Sequence, residues 1–486
     1  MIFRDWLKEL DYTLLQGSVD VETEDVIYDS RKAAPGKVFV AMKGIRVDGH
    51  SFIPQVLKAG VRVLVTERPV EEELKNSGLS EDELKQVTVV MVEEGRHALA
   101  LLSAARFDHP AKKLVMIGVT GTKGKTTTTH MIRAILLAAG KKVGMIGTTG
   151  TVIGYVVTPT LNTTPESYEL HQAFAQMVEA GCEYAVMEVS SQGIKMHRTD
   201  GLYFNYAIFT NISPDHIGPG EHADFEEYLY YKTRLLNMCG IGLVNKDDEH
   251  APQIIKAANC ELYTYSEESK EADFVASDIR YVSQPDFVGT EFHISGKYDM
   301  EVRLGIPGLF NVVNALAAVS VCSFLGLDQA RISHALENIR VNGRMEIVYT
   351  SERCTVLVDY AHNAVSMESL LSTLRDYKPK RLVCVFGCGG NRSKDRRYSM
   401  GEIGGKMADL SIITADNSRY EKVEDIIADI RGSIEKTGGK FIEIPDRREA
   451  IRYSILHAQP GDMVAVIGKG HEDYQEIKGK KYPMDE

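Results

Sequence analysis

Residues 114–133 read LVMIGVTGTKGKTTTTHMIR, and this stretch decides most of what the chain can fold into. Its apolar start, 114–119, suits a strand buried in a parallel sheet. Gly121-Thr122-Lys123-Gly124-Lys125-Thr126 follows as a turn, and a helical pattern then runs to Gly140. Strand, glycine-rich turn and helix in that order make the setting of a phosphate-binding loop. Glycines let backbone N–H groups close around a phosphate, and the helix start adds the positive end of its dipole. Lys125 is placed to reach β- and γ-phosphates and the Thr126 hydroxyl to hold Mg²⁺, with Gly121, Thr122, Lys123, Gly124 and Thr127 completing the loop. The strict G-x-x-x-x-G-K-[ST] spacing is not met, because Val119 stands five residues before Gly124. The plainer reading is an ordinary strand-to-helix turn. Three glycines, a lysine and a run of threonines in the right context count against it.

The 486 residues suit roughly three domains at ~150 residues each. A net charge of −12 argues against nucleic acid as the main partner, since backbone phosphates demand a basic face. No apolar run approaches the length of a membrane span. The N-terminal MIFRDWLKEL is amphipathic and carries acids, unlike a signal peptide. Seven dispersed cysteines without a Cys-x-x-Cys pair fit reduced core thiols and a cytoplasmic protein, and Cys388 is read as structural.

Residues 1–107 read as a small α/β domain, with strands at 38–42 and 61–66 and helices at 53–59 and 95–107. Tyr28-Asp29-Ser30-Arg31 and Asp48-Gly49-His50 are turn-rich loops there, and the acidic stretch 67–94 is expected to be solvated surface. From 108 to 340, strands expected at 114–119, 143–146, 184–188, 207–211 and 241–245 alternate with helices, which means a mainly parallel sheet with ligands at the C-terminal strand ends. Polar clusters fall at those ends. Glu188, closing an apolar strand, suits a Mg²⁺ ligand, while Ser190 or Ser191 suits a helix cap. His216 is either a metal ligand or a hydrogen-bonded loop histidine, and Lys232 taken alone is an ordinary helical surface charge. The loop 162–166 caps a helix and is placed to grip a second substrate; Asn311 and Asn314 suit an adenine edge or a helix cap. A third α/β unit, 341–486, repeats the pattern with clusters around Asp359, Gly387–Arg392, Asp416–Arg419 and Gly468–Asp473. The glycines after Phe386 lack G-x-G-x-x-G spacing, so a nicotinamide cofactor is rejected.

GVTGTKGKTTT, MEVSS, TNISPDH, YYKTRLL, GLFNVVNALAA, NGRMEIV, VDYAHN, FGCGGNR, DNSR and GKGHEDYQ occur in that order, preceded by DSR…PGKVFVAMKG…DGHSFI. Together they resemble the Mur ligases over essentially the whole chain. The resemblance implies three α/β domains: a uridine-binding domain (1–107), a central P-loop ATPase domain with a mainly parallel sheet (108–340), and a Rossmann-like amino-acid-binding domain (341–486). It implies a monomeric ATP-dependent amide ligase that uses Mg²⁺ at two sites. The acceptor would be UDP-N-acetylmuramoyl-L-alanyl-D-glutamate, whose carboxylate becomes an acyl phosphate before a diamino acid attacks. Lys125, Glu188, His216 and Lys232 are the implied catalytic residues. Thr126, Glu188, His216 and a carbamylated Lys232 would hold metal. Asn311, Arg344 and Asp359 would join the loop in ATP binding. Ser30, His50, Asn162, Thr163, Thr164, Ser190 and Arg198 would contact the UDP-linked substrate. Arg392, Asp416, Asn417, Arg419, Gly468 and Glu472 would line the amino-acid pocket. Arg419 keeps the family arginine whose fork suits the distal carboxylate of meso-diaminopimelate, favoured over L-lysine. Ser418 stands where the family usually has proline; Lys123, Gln192, Ala364 and Asn391 are further departures, none at a proposed catalytic group. The alternatives are the L-lysine-adding ligase, a folylpolyglutamate synthetase-like ligase, and a non-catalytic nucleotide-binding regulator.

Overall fold

In a computed structural model, residues 1–44 and 47–486 are described. By packing, the chain forms two units, one of residues 1–129 and 140–264, the other of residues 130–139 and 265–486.

The first unit holds two sheets. The smaller takes the strands Thr13–Gln16, Thr88–Met91, Val63–Thr66, Lys37–Val40 and Asp25–Ile27 in that spatial order, parallel except at the first pairing. Such doubly covered strands read as continuous apolar runs, and Val63–Thr66 is buried at every position. Helix Gly95–Arg106 buries Ala98, Leu99 and Leu102 on one face of this sheet, while Ile53, Val56 and Leu57 cover the other. The expectation of a solvated surface over 67–94 is corrected here. Within it, Thr88–Met91 is an inner strand with Val89 and Val90 buried, and the acids sit on the short helices before it. Averaged acidity hid a four-residue apolar run.

In the larger sheet of this unit, Cys239–Asn245, Phe204–Phe209, Val115–Thr120, Tyr184–Glu188 and Val143–Gly147 lie side by side and parallel, and Gly150–Ile153 and Val156–Thr158 extend it antiparallel. Register matters for function. Glu188 pairs with Val119, and Phe209 with Thr120, so three strands end level, with Gly121, Val189 and Thr210 emerging side by side. Helix Lys125–Ala138 starts there.

In the second unit, the strands Phe274–Gln284, Phe287–Gly296 and Met300–Leu304 form an antiparallel meander, which the sequence reading did not identify. Its alternating burial is the period-two pattern of a half-exposed sheet. Helix Leu309–Phe324 follows, rich in alanine and valine and almost wholly buried. A six-stranded sheet then runs Glu346–Thr350, Cys354–Asp359, Asp462–Ile467, Arg381–Phe386, Leu410–Ile413 and Phe441–Glu443, parallel after the first pairing. Asp359 pairs with Ile467 and Phe386 with Ile413, so Asp359, Gly387, Thr414 and Gly468 share one edge.

Candidate active site

The loop after Val115–Thr120 is strapped to its neighbour. Thr122 N–H donates to Asn211 O (2.8 Å), Lys123 N–H to Asn211 Oδ1 (2.9 Å), and the Thr210 hydroxyl to Lys123 O (2.6 Å). Gly121 has φ +140°, and a Cβ there would collide with Thr210 Oγ1, so the turn requires glycine on both counts. Two lysine side-chain nitrogens converge on its carbonyl. Lys125 Nζ donates to Gly121 O at 2.8 Å, and Lys232 Nζ to the same oxygen at 2.7 Å.

Lys232 ends helix Phe225–Thr233, is 2% exposed, and lies 4.6 Å above the Tyr228 ring. Burial, with the Lys125 ammonium close by, pushes its amine well below the ordinary lysine range. Tyr228 precedes it by one turn on the same helix face, and its hydroxyl bonds Thr122 Oγ1 at 3.0 Å. Burial also pushes the Tyr228 phenol up, to about 12. His216 is an exposed loop residue with φ +53°, its ring 6.1 Å from that of Tyr228 and its Nδ1 3.1 Å from Glu221 Oε1. Tyr228 is therefore the common wall of Lys232 and His216.

Glu188, 1% exposed, accepts from Thr126 Oγ1 at 3.0 Å on both carboxylate oxygens, and from Thr148 N–H at 2.9 Å. A hydroxyl and a buried carboxylate in direct contact form the hard-oxygen donor set that suits Mg²⁺. Thr126 and Glu188 would hold such an ion, whose chemistry is charge neutralisation on phosphate oxygens, while His216 contacts Asp215, Glu221, His222 and Tyr228.

Beside Glu188 the expected second-substrate residues collect. Thr163 Oγ1 lies 3.1 Å from Thr148 Oγ1. The buried Thr164 hydroxyl donates to Glu188 O (3.0 Å) and accepts from Ser190 N–H (2.9 Å). Arg198 donates to Thr164 O (3.0 Å) and pairs with Glu166 (2.7 Å). Ser190 also caps helix Ser191–Lys195, accepting from Gly193 N–H at 3.0 Å, so the capping and substrate readings coexist at one residue. Asn162 is exposed, and helix Ser167–Glu179 has no side-chain cap from the loop before it. Ser30 opens a short 3₁₀ turn capped by Asp29. His50 is 1% exposed, with Nδ1 2.6 Å from Asp48 and Nε2 accepting from Glu67 N–H (3.0 Å); both nitrogens serve to fix its own turn.

In the second unit, Asp359 accepts from Met345 N–H and Ala361 N–H, both at 2.8 Å, and burial pushes its carboxyl up. These bonds set the turn that carries Arg344, whose guanidinium lies 5.1 Å over the Tyr360 ring. Asn311 is buried and donates to Pro307 O at 2.7 Å, inside the first turn of its helix.

The amino-acid residues assemble at the same sheet edge. Asn417 is the hub, donating to Glu472 Oε2 at 2.8 Å and accepting from Glu476 N–H at 2.8 Å. Asp416 turns back to accept from Asn417 N–H at 2.6 Å, and a Cβ on Gly468 (φ +118°) would lie 3.1 Å from Asp416 Oδ2. Arg419 is held at Nη1 by Gly390 O (2.8 Å) and at Nε by Glu476 (3.3 Å). Arg392 is exposed and makes no ion pair among the described residues; its Cγ and Arg419 Nη1 both flank Gly389. Ser418, which stands where the family usually has proline, is buried, at 2% exposed.

Residues not singled out beforehand complete both sites: Thr148, Thr210, Asn211 and Tyr228 in the first, Lys469 and Glu476 in the second. The i, i+4 spacing of Tyr228 and Lys232 was a usable signal. Thr148 follows its strand with nothing in its neighbourhood to mark it.

Comparison with known proteins agrees with this layout. The chain matches the Mur ligase family catalytic domain over residues 23–107, the Mur ligase middle domain over 119–322, and the Mur ligase glutamate ligase domain over 343–470. The UDP-N-acetylmuramoyl-L-alanyl-D-glutamate–2,6-diaminopimelate ligase of Caldanaerobacter subterraneus subsp. tengcongensis is 39% identical, covering 99% of this chain and 96% of that protein. The ligase of the same name from Clostridium perfringens is 37% identical over 100% of this chain and 98% of its own length. A solved structure of a ligase with that name is 30% identical, covers 95% of this chain and 93% of its own, and superposes with a TM-score of 0.72. The chain belongs to the Mur ligase family. Folylpolyglutamate synthase from Thermotoga maritima shares the fold at 18% identity, over 77% of this chain and 89% of its own, with a TM-score of 0.60.

Proposed function

We propose that this chain is the ATP-dependent ligase that joins meso-2,6-diaminopimelate to UDP-N-acetylmuramoyl-L-alanyl-D-glutamate, a step in building peptidoglycan precursors. The observation that carries the reading is the convergence of Lys125 and Lys232 on Gly121 O beside the Thr126–Glu188 pair. A half-buried amine, a buried amine and a buried carboxylate at one strand edge suit phosphoryl transfer from a nucleoside triphosphate. The D-glutamyl carboxylate oxygen would attack the γ-phosphorus of ATP, releasing ADP. The amine of the second substrate would then attack the acyl carbon, expelling phosphate and losing a proton.

Lys125 would offset charge on the transferring group. Burial lowers the pKa of the Lys232 amine and so favours the uncharged form, the one that adds CO₂ to give a carbamate and a proton; the product would be an anionic oxygen ligand. With it, Glu188 and His216 would hold a second Mg²⁺. Thr163, Thr164, Ser190 and Arg198 would position the muramoyl dipeptide, and Ser30 the uridine. Asn311, Arg344 and Asp359 are the second unit's proposed nucleotide contacts. Arg419, with Arg392, Asp416, Asn417, Gly468 and Glu472, would select the amino acid, its Nη2 having no protein partner among the described residues. The domain boundaries at 107/108 and 340/341, a monomeric state and a cytoplasmic location belong to the same proposal. No helix among the described residues is long and apolar enough to cross a membrane.

Phosphate release from ATP with the muramoyl dipeptide is the test, with either meso-diaminopimelate or L-lysine added. Release with diaminopimelate is expected. Silence with both amino acids would remove the ligase reading, and turnover with lysine alone would overturn the pocket assignment.

A further inference from the structure

Two imidazoles and a carboxylate, none of them given a role in the ligase reaction, meet in the first unit, with His197 and Asp200 on either side of Arg198 in the chain. His97 stands in the first turn of helix Gly95–Arg106, and His197 and Asp200 lie in the turn after helix Ser191–Lys195. His97 Nδ1 is 2.6 Å, and His197 Nδ1 2.8 Å, from the same atom, Asp200 Oδ2. The three ligand atoms lie within 4.8 Å of one another. The rings meet edge to face, at 78° and 6.3 Å between centroids, so neither covers the nitrogen of the other. The side chains are 44%, 36% and 19% exposed, which leaves the cluster open to an ion from solvent.

We propose that His97, His197 and Asp200 form a binding site for a divalent transition ion of the Zn²⁺ class. Two imidazole nitrogens and one carboxylate oxygen are the donor types such an ion prefers, with the fourth tetrahedral position left to water. Ligand atoms at ~2.0–2.1 Å from zinc stand roughly 3.3 Å apart at tetrahedral angles, so the present hydrogen-bonded contacts of 2.6 and 2.8 Å would open by about 0.5–0.7 Å. Partly exposed side chains on a helix turn and a loop can open that far. Binding would replace the Nδ1 protons and join two segments about a hundred residues apart in sequence, so the ion would act as a cross-link. The plainer account is an aspartate that merely accepts two imidazole N–H bonds, and the two accounts differ in what zinc does.

The experiment uses the full chain freed of metal with a chelator, titrated with ZnCl₂ against a chromophoric competitor. One equivalent per chain should bind, with His97→Ala and His197→Ala each weakening affinity at least about 30-fold. His334→Ala, at a partly exposed helical histidine elsewhere, should change nothing. Affinity should fall about tenfold or more from pH 7 to pH 5.5, as imidazole protonation competes. Zinc should raise the melting temperature of the parent and leave that of His97→Gln, which keeps a hydrogen-bonding side chain, unmoved. X-ray absorption should show only nitrogen and oxygen neighbours. Equal affinity in parent and His97→Ala, sulfur in the zinc shell, or no stoichiometric binding by a folded parent would each overturn the site.

Discussion

Lys232 and Lys469 are both buried to 2% or less, and they live in opposite surroundings. Lys469 Nζ donates to Glu472 (3.3 Å), to Asn417 Oδ1 (3.4 Å) and, by a short bond, to Tyr474 O. Its charge has a counter-charge, as a permanent buried ammonium requires. Lys232 has one carbonyl, shared with a second lysine, and no carboxylate bonded to it among the described residues. An amine so placed is costly as a cation and available as a nucleophilic free amine. Burial is common to both; the difference is whether the protein supplies the missing charge or leaves it to chemistry.

The largest consequence falls on Lys232. Lys232→Ala should cut turnover by about 10²–10³-fold, the range found when one preorganised transition-state contact is removed. Acetate or formate should restore part of it by standing in for the carbamate. Steady-state phosphate release with and without these acids measures both. Activity unaffected by the substitution would end the carbamate role, and rescue of Lys469→Met by the same acids would erase the contrast.

Next in size is Arg419. With Nε and Nη1 already engaged by Glu476 and Gly390, the fork is preorganised toward a third acceptor. Arg419→Ala should raise KM for diaminopimelate roughly 10²-fold, from loss of charge-assisted hydrogen bonds, with KM for ATP little changed. Equal shifts in both constants would mean that the arginine serves the fold and not selection.

Lys469→Met should leave catalysis at the loop untouched in kind and weaken folding instead. Glu472, Asn417 Oδ1 and Tyr474 O would each lose one donor, at about 2–3 kcal/mol in all, seen as a lower urea midpoint. Unchanged stability would show that the Glu472 pair contributes nothing net.

The loop, the strand ends and the order of motifs could be read directly because phosphate binding demands glycine, lysine and hydroxyl at fixed offsets. Glu188 was legible for the same reason, since it closes a run of apolar residues. What escaped was of two kinds. The meander at 274–304 obeys period two, and a search for alternating strands and helices passes over it. Thr148, Asn211 and Glu476 act through contacts made across 40, 88 and 57 residues of chain, which no local spacing records. Residue type and local spacing do not separate Lys232 from Lys469; the family resemblance singles out Lys232, and the partners around each amine give the physical reason.

His171 extends the comparison to a group with neither partner nor chemistry. It lies in helix Ser167–Glu179, 1% exposed, packed edge-on to Phe174, and neither ring nitrogen finds a hydrogen bond among the described residues. Burial, with a small push from His109, brings its pKa down to about 3. The unfolded chain takes up this proton near pH 6.5, and the folded chain does not. A depressed histidine therefore costs nothing above pH 6.5, and stability is lost as pH falls from there toward 3. The slope is about 1.4 kcal/mol per unit, or roughly 2 kcal/mol by pH 5. His171→Leu places an apolar side chain against Phe174 and removes the titrating group. Between pH 7.5 and 5, urea unfolding of the variant should lose about 2 kcal/mol less than the parent. If both lose the same, another group carries the acid sensitivity, and burial without a partner does not by itself set the response.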